Sequence, residues 1–177
     1  MQPKQLFIPD QSIDRENIFL SIGRIQQQKG QLETLRFLNS FKEVETDFMC
    51  YFVGGPSGSS GDEYLSELKE SVKELSLSSH VEFLGNLPQV DIRNLLNSAK
   101  LLIHNSQYET FGLVAIEANS MGVPVLTTNN GSMQEIITNK ENGYLVDGLD
   151  YQDVSISIKN LINDYQYFEE RMINCMN

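Results

Sequence analysis

Short apolar runs alternate with helix-period segments along most of this chain, and that alternation constrains its fold more than any single motif does. Ile18-Phe19-Leu20-Ser21-Ile22, Phe48-Met49-Cys50-Tyr51-Phe52-Val53, Val81-Glu82-Phe83-Leu84, Lys100-Leu101-Leu102-Ile103, Val123-Pro124-Val125-Leu126-Thr127 and residues 143–146 have the length of strands. Most end at a glycine or a polar cluster. Between them the spacing predicts helices over residues 30–41, 62–75, 88–99, 112–122 and 133–137, and one C-terminal helix from 151 to at least 168. Leu32, Leu35 and Leu38, and then Leu65, Leu68, Val72 and Leu75, mark the inward faces of the first two. Alternation of this kind predicts an α/β fold of three layers, a parallel sheet with helices on both faces, with ligands bound beyond the carboxyl ends of the strands. The loops 23–30, 54–61, 85–88, 105–112 and 127–133 all follow a strand and therefore line one rim.

Residues 1–16 are polar, carry Pro3 and Pro9 and show no period, so they read as a linker or interdomain junction, with one domain over residues 17–177. A net charge of −11 disfavours nucleic acid and anionic membrane as partners, so any anion site must be local. Two cysteines, no metal-type spacing, no signal peptide and no run of membrane-spanning length lead to the expectation of a cytoplasmic protein without disulfides.

The chemistry concentrates in Glu109-Thr110-Phe111-Gly112-Leu113-Val114-Ala115-Ile116-Glu117. A helix starting near Gly112 places Phe111, Gly112 and Leu113 at its N-terminus, where unpaired N–H groups and the helix dipole favour a phosphate. Glu109 lies in the loop before it. Glu117 lies about one and a half turns inside, within an apolar stretch where an unpartnered carboxylate is costly. Helix ends bind phosphates and carboxylates bind hydroxyls, and a nucleotide sugar offers both. Gly23-Arg24 and Lys29-Gly30 place two cations in the first loop of the same rim, able to meet one diphosphate. Each piece also has a plainer account: solvated cations for Arg24 and Lys29, an exposed helix face for Glu117, a dipole-stabilised carboxylate for Glu109 and a local cap for Glu135. His104 ends the fourth strand, as a structural histidine or as a hydrogen-bonding group for a ligand. No Ser, His and Asp constellation, zinc-type cluster or Walker glycine pattern is legible.

With these residues in order, the chain resembles the C-terminal, donor-binding half of a retaining glycosyltransferase of the GT-B fold, in the large family four (glycosyl transferases group 1). The resemblance covers roughly residues 19–168. It implies a Rossmann-like domain in which Gly23, Arg24 and Lys29 hold the donor diphosphate. It likewise implies that Glu109 orients the sugar, Glu117 binds the ribose, and amides around Phe111, Gly112 and Leu113 approach sugar and phosphate. Leu84 and Leu87 then lie against the base, and Ser106 matches a serine of the family. Two local departures are Asn105 where the family often has proline, and Asn130-Gly131 where a glycine pair is common.

The implied reaction moves a hexosyl group from a nucleotide-diphosphate sugar to an acceptor hydroxyl with retention, in polysaccharide or glycolipid synthesis. It needs no cofactor and no obligatory metal, because fixed cations and helix-end amides stabilise the leaving diphosphate. The implied partner is an N-terminal acceptor-binding domain, in the same protein or a second chain, which also offers a route to peripheral contact with the inner membrane. The expectation is a domain excised from a longer enzyme and inactive alone. The alternatives are a non-catalytic nucleotide-sugar sensor or regulatory subunit, and a protein-interaction domain that binds no nucleotide.

Overall fold

The computed structural model describes residues 15–138, 140–146 and 151–174, without the side chains of residues 152 and 171–174. The expected junction over residues 1–16 lies outside the described residues except for Arg15 and Glu16. From Ile18 onward strand and helix alternate: β1 (Ile18–Ile22), a 3-10 turn (Gln27–Lys29), α1 (Gln31–Lys42), β2 (Met49–Val53), α2 (Gly61–Glu74), β3 (Val81–Gly85) and α3 (Gln89–Ser98). Then follow β4 (Leu101–His104), α4 (Leu113–Ser120), β5 (Val125–Thr128), α5 (Met133–Ile136), β6 (Gly143–Val146), α6 (Tyr151–Asn163) and α7 (Tyr165–Asn174).

All six strands are parallel, in the order β3-β2-β1-β4-β5-β6. The chain builds outward from β1 to β3, then returns to place β4 on the other side of β1. Because side chains alternate across a pleated strand, both faces are covered. Phe19, Leu101 and Ile103 join Phe37, Phe41, Leu68 and Ile158 in one core, while Leu20 and Leu102 join Leu96, Ala115, Ala118 and Met121 in the other. Leu35, Leu38, Leu68 and Val72 are buried as their spacing predicts, with Leu32, Leu65 and Leu75 packed at the margin.

The expected single C-terminal helix is two, interrupted at Asp164. Asn163-Asp164 is a pair suited to helix ends rather than interiors, since both side chains compete for backbone hydrogen bonds. In α7, Tyr165 and Phe168 are buried, and the Tyr165 hydroxyl donates to the Gly122 carbonyl at 2.6 Å. No helix among the described residues is long and apolar enough to cross a membrane.

Candidate functional site

β1 and β4 are adjacent, but their following segments depart in opposite directions, which opens a crevice at their carboxyl ends. The loops that meet there are 23–30 and 105–112. They are stitched together: the Gln107 N–H donates to the Gln28 carbonyl at 2.8 Å. Gly30 makes that approach possible. Its φ is +66°, and a Cβ at this position would overlap the Asn105 carbonyl. Asn105 is buried and donates through Nδ2 to Thr34 Oγ1 at 3.1 Å, a bond that a proline in its place could not make.

This stitching carries the Lys29 ammonium to 2.9 Å from Glu109 Oε2, although the two residues are 80 positions apart. His104 Nε2 stands 3.1 Å from the same oxygen. The other oxygen, Oε1, faces the Gly112 N–H at 3.4 Å, at the start of α4. Gly112 takes φ +56°, and a Cβ there would collide with Met133 and Ile136 of α5. The loop before α5 supports the Glu109 backbone, because the Ser132 hydroxyl donates to the Glu109 carbonyl at 3.2 Å. One carboxylate is thus held between a cation, an imidazole and a helix-start amide.

Burial pushes the Glu109 carboxyl up, but the hydrogen bond and charge of Lys29, His104 and the Gly112 N–H together outweigh it and leave its pKa below the ordinary value. Its folded-state pKa therefore lies below the unfolded one. The stability it contributes is complete above the ordinary carboxylate range and disappears as pH falls through the lowered value. Urea midpoints followed through the acid range should fall more steeply for the wild type than for Glu109→Gln. Parallel curves would contradict this account.

Glu117, in the second turn of α4, is half-buried. No protein donor reaches its carboxylate among the described residues, and burial alone raises its pKa. A half-buried carboxylate without a protein donor is free to accept a hydrogen bond from outside the chain. Phe111 and Leu113, 71% and 63% exposed, flank buried Gly112 at the start of α4. Gly23 closes β1 with its N–H on the Val53 carbonyl at 2.9 Å, and the Lys29 aliphatic stem passes beside it. Arg24 is exposed, and among the described residues its guanidinium has no ion-pair partner. Leu84 and Leu87 are half-buried at the end of β3, two strands from the crevice. Ser106 is buried with its hydroxyl on the Tyr108 carbonyl at 3.0 Å, so it ties the loop rather than offering a free hydroxyl. Glu135 is exposed.

The structure thus brings together Lys29, Glu109 and the Gly112 N–H, at the start of the helix that carries Leu113 in its first turn and Glu117 in its second. It does not gather Arg24 or Ser106 as hydrogen-bonding groups. His104 enters as a neighbour of Glu109, and Ser132 and Gly131 as supports beneath it. The only sequence signal for His104 was a polar residue closing an apolar strand beside the suspected loop. Among the described residues no cluster of three or more His, Cys, Asp or Glu could hold a metal ion.

Residues 4–174 match the family described as glycosyl transferases group 1. The chain belongs to that family. Among its relatives are D-inositol 3-phosphate glycosyltransferase of Corynebacterium urealyticum, 34% identical over 145 residues, and mannosylfructose-phosphate synthase of Agrobacterium fabrum, 30% identical over 145 residues. These alignments take in 81% and 80% of this chain but 34% and 32% of the relatives, so the chain spans about a third of the length of the curated relatives it matches. Among solved structures, Anabaena Alr3699/HepE in complex with UDP and glucose superposes with a TM-score of 0.77 at 25% identity, covering 89% of this chain and 42% of that one. The C-terminal domain of the group 1 glycosyl transferase LpcC from Francisella tularensis gives 0.78 at 25% identity, covering 95% of this chain and 90% of that domain. The family's fold is therefore a Rossmann-like half of a GT-B glycosyltransferase, as the sequence resemblance implied.

Proposed function

We propose that this domain binds the nucleotide-diphosphate sugar of a retaining glycosyltransferase that passes a hexosyl group to an acceptor hydroxyl, in polysaccharide or glycolipid synthesis. The observation that carries the reading is the convergence of Lys29, Glu109 and the α4 start in the crevice between β1 and β4. UDP and glucose in the HepE complex and the sugar-transferring names of the relatives support it.

In this reading the diphosphate enters beside Gly112, where the first amides of α4 lack intrahelical acceptors. It draws the Lys29 ammonium away from Glu109, and exposed Arg24 swings onto it from the same loop. As the glycosidic bond breaks, charge grows on the diphosphate, and cations already in place stabilise it more than the ground state. Glu109, released from Lys29, turns to the sugar hydroxyls, and Glu117 accepts from the ribose. The departing phosphate takes the acceptor's proton, so no protein nucleophile and no obligatory metal or cofactor are required. The acceptor site belongs to the part of the relatives' length that this chain does not span. The chain by itself is expected to bind donor without turning it over, with membrane contact left to that other part.

Calorimetry with uridine, guanosine and adenosine diphosphates tests the reading, which fails if none binds. Glu117→Ala should weaken the nucleotide that does bind by about 1.5–3 kcal/mol, the worth of a hydrogen bond to a charged group. An unchanged affinity would remove Glu117 from the ribose. Lys29→Met should weaken the diphosphate by a similar ~2 kcal/mol while leaving the corresponding nucleoside unaffected, and equal losses for both would contradict its assignment.

A further inference from the structure

His104 is 6% exposed, closes β4 and pairs in register with Thr127 of β5. Its Nε2 and the Lys29 ammonium both address Glu109 Oε2, at 3.1 and 2.9 Å. A carboxylate oxygen only accepts, so this ring nitrogen carries the hydrogen and the neutral ring is the Nε2–H tautomer. A ligand diphosphate that takes Lys29 therefore strips Glu109 of its cation and leaves His104 as the remaining donor on Oε2.

We propose that His104 is a positioning residue: it holds the Glu109 carboxylate at the donor sugar after the diphosphate has drawn Lys29 away, and it takes up a proton as that happens. The proposal rests on the donor-binding reading given above. The proton comes from solvent and adds at Nδ1, converting a neutral imidazole into an imidazolium beside the carboxylate, with no bond made or broken elsewhere. The cation lost from Oε2 is thereby replaced by another on the same oxygen.

The charged groups facing the ring among the described residues are Glu109, from the loop after β4, and Lys29, from the 3-10 turn. Burial pushes the His104 pKa down, the Glu109 charge pulls it up and the Lys29 charge pushes it down, for a net lowering. Removing the Lys29 charge from the cluster thus favours protonation.

The sequence holds two histidines, so NMR of the imidazole resonances has an internal control in His80, whose ring stacks on Phe48 at 4.5 Å. The probe is UDP-glucose, whose fully substituted diphosphate does not titrate where histidine does. The His104 titration midpoint should rise in Lys29→Met, fall in Glu109→Gln, and rise in the wild type saturated with UDP-glucose. By calorimetry, His104→Phe should weaken UDP-glucose about tenfold with UDP little changed, and His104→Gln, which keeps a donor, should restore most of the loss. Midpoints that ignore both Lys29→Met and Glu109→Gln would overturn the coupling. Equal losses of UDP and UDP-glucose in His104→Phe would reduce His104 to a structural residue. Failure of the wild-type chain to bind UDP-glucose or any nucleoside diphosphate would sink the donor reading and the ligand-coupled half of this proposal, while the two variants still decide the ligand-free half.

Discussion

Replacing Arg15 by alanine should lower stability by about 3–5 kcal/mol, the range for removing one partner of a buried charged network. The guanidinium side chain is 3% exposed. It donates to the Leu96 and Ala99 carbonyls at the end of α3 and to the Met121 carbonyl at the end of α4, pairs with Glu169 of α7 at 3.1 Å, and lies over the Tyr165 ring. Helix carboxyl ends carry unsatisfied carbonyls and partial negative charge, so one cation serves two helix ends and a carboxylate at once. Alanine would leave three carbonyls without this donor and Glu169 without its cation. Urea denaturation is the measurement, and a thermal midpoint lower by roughly 10 °C is the corresponding shift for a chain of this size. A loss under about 1 kcal/mol would mean that water replaces the guanidinium without penalty. Since α4 begins at the candidate site, the same substitution should also loosen the proposed nucleotide binding.

Gly30→Ala should cost about 2–5 kcal/mol, combining left-handed backbone strain with overpacking. At φ +66° an added Cβ meets backbone, the Asn105 carbonyl, not the pliant end of a side chain. One of the two loops must retreat. Retreat breaks the contact between Gln107 and Gln28 and carries Lys29 away from the start of α4, so diphosphate affinity should drop about tenfold or more in whatever fraction remains folded. Denaturation and calorimetry on one preparation separate the two effects. Near-wild-type values for both would show that the loops are not held in register here.

The β-strands and most helices were legible because their signals are local. Leu35, Leu38, Leu68 and Val72 announce buried helix faces by spacing alone, and Phe19 and Leu20 show a strand covered on both faces. The break at Asp164 escaped because apolar periodicity runs through it and outweighed the helix-end pair Asn163-Asp164, while the Tyr165 hydroxyl on the Gly122 carbonyl ties the second helix down. Glu109, Gly112 and Glu117 were legible as one short stretch whose chemistry needs no partner from elsewhere to be noticed. The roles within the candidate site were less so. Ser106 is tied to the backbone, Arg24 is exposed without an ion-pair partner among the described residues, and the nearest neighbours of Glu109 include a histidine that strand position alone left undecided.

By itself, then, the sequence determined that a parallel α/β sheet forms, which loops share its rim and which of them carry carboxylates and cations, since periodicity and turn chemistry act over a few residues. Strand order is not local. Only the tertiary structure decided that β4 returns beside β1, and with it that Lys29 and His104 reach the same oxygen of Glu109, because that contact depends on how distant strands bury their apolar faces together.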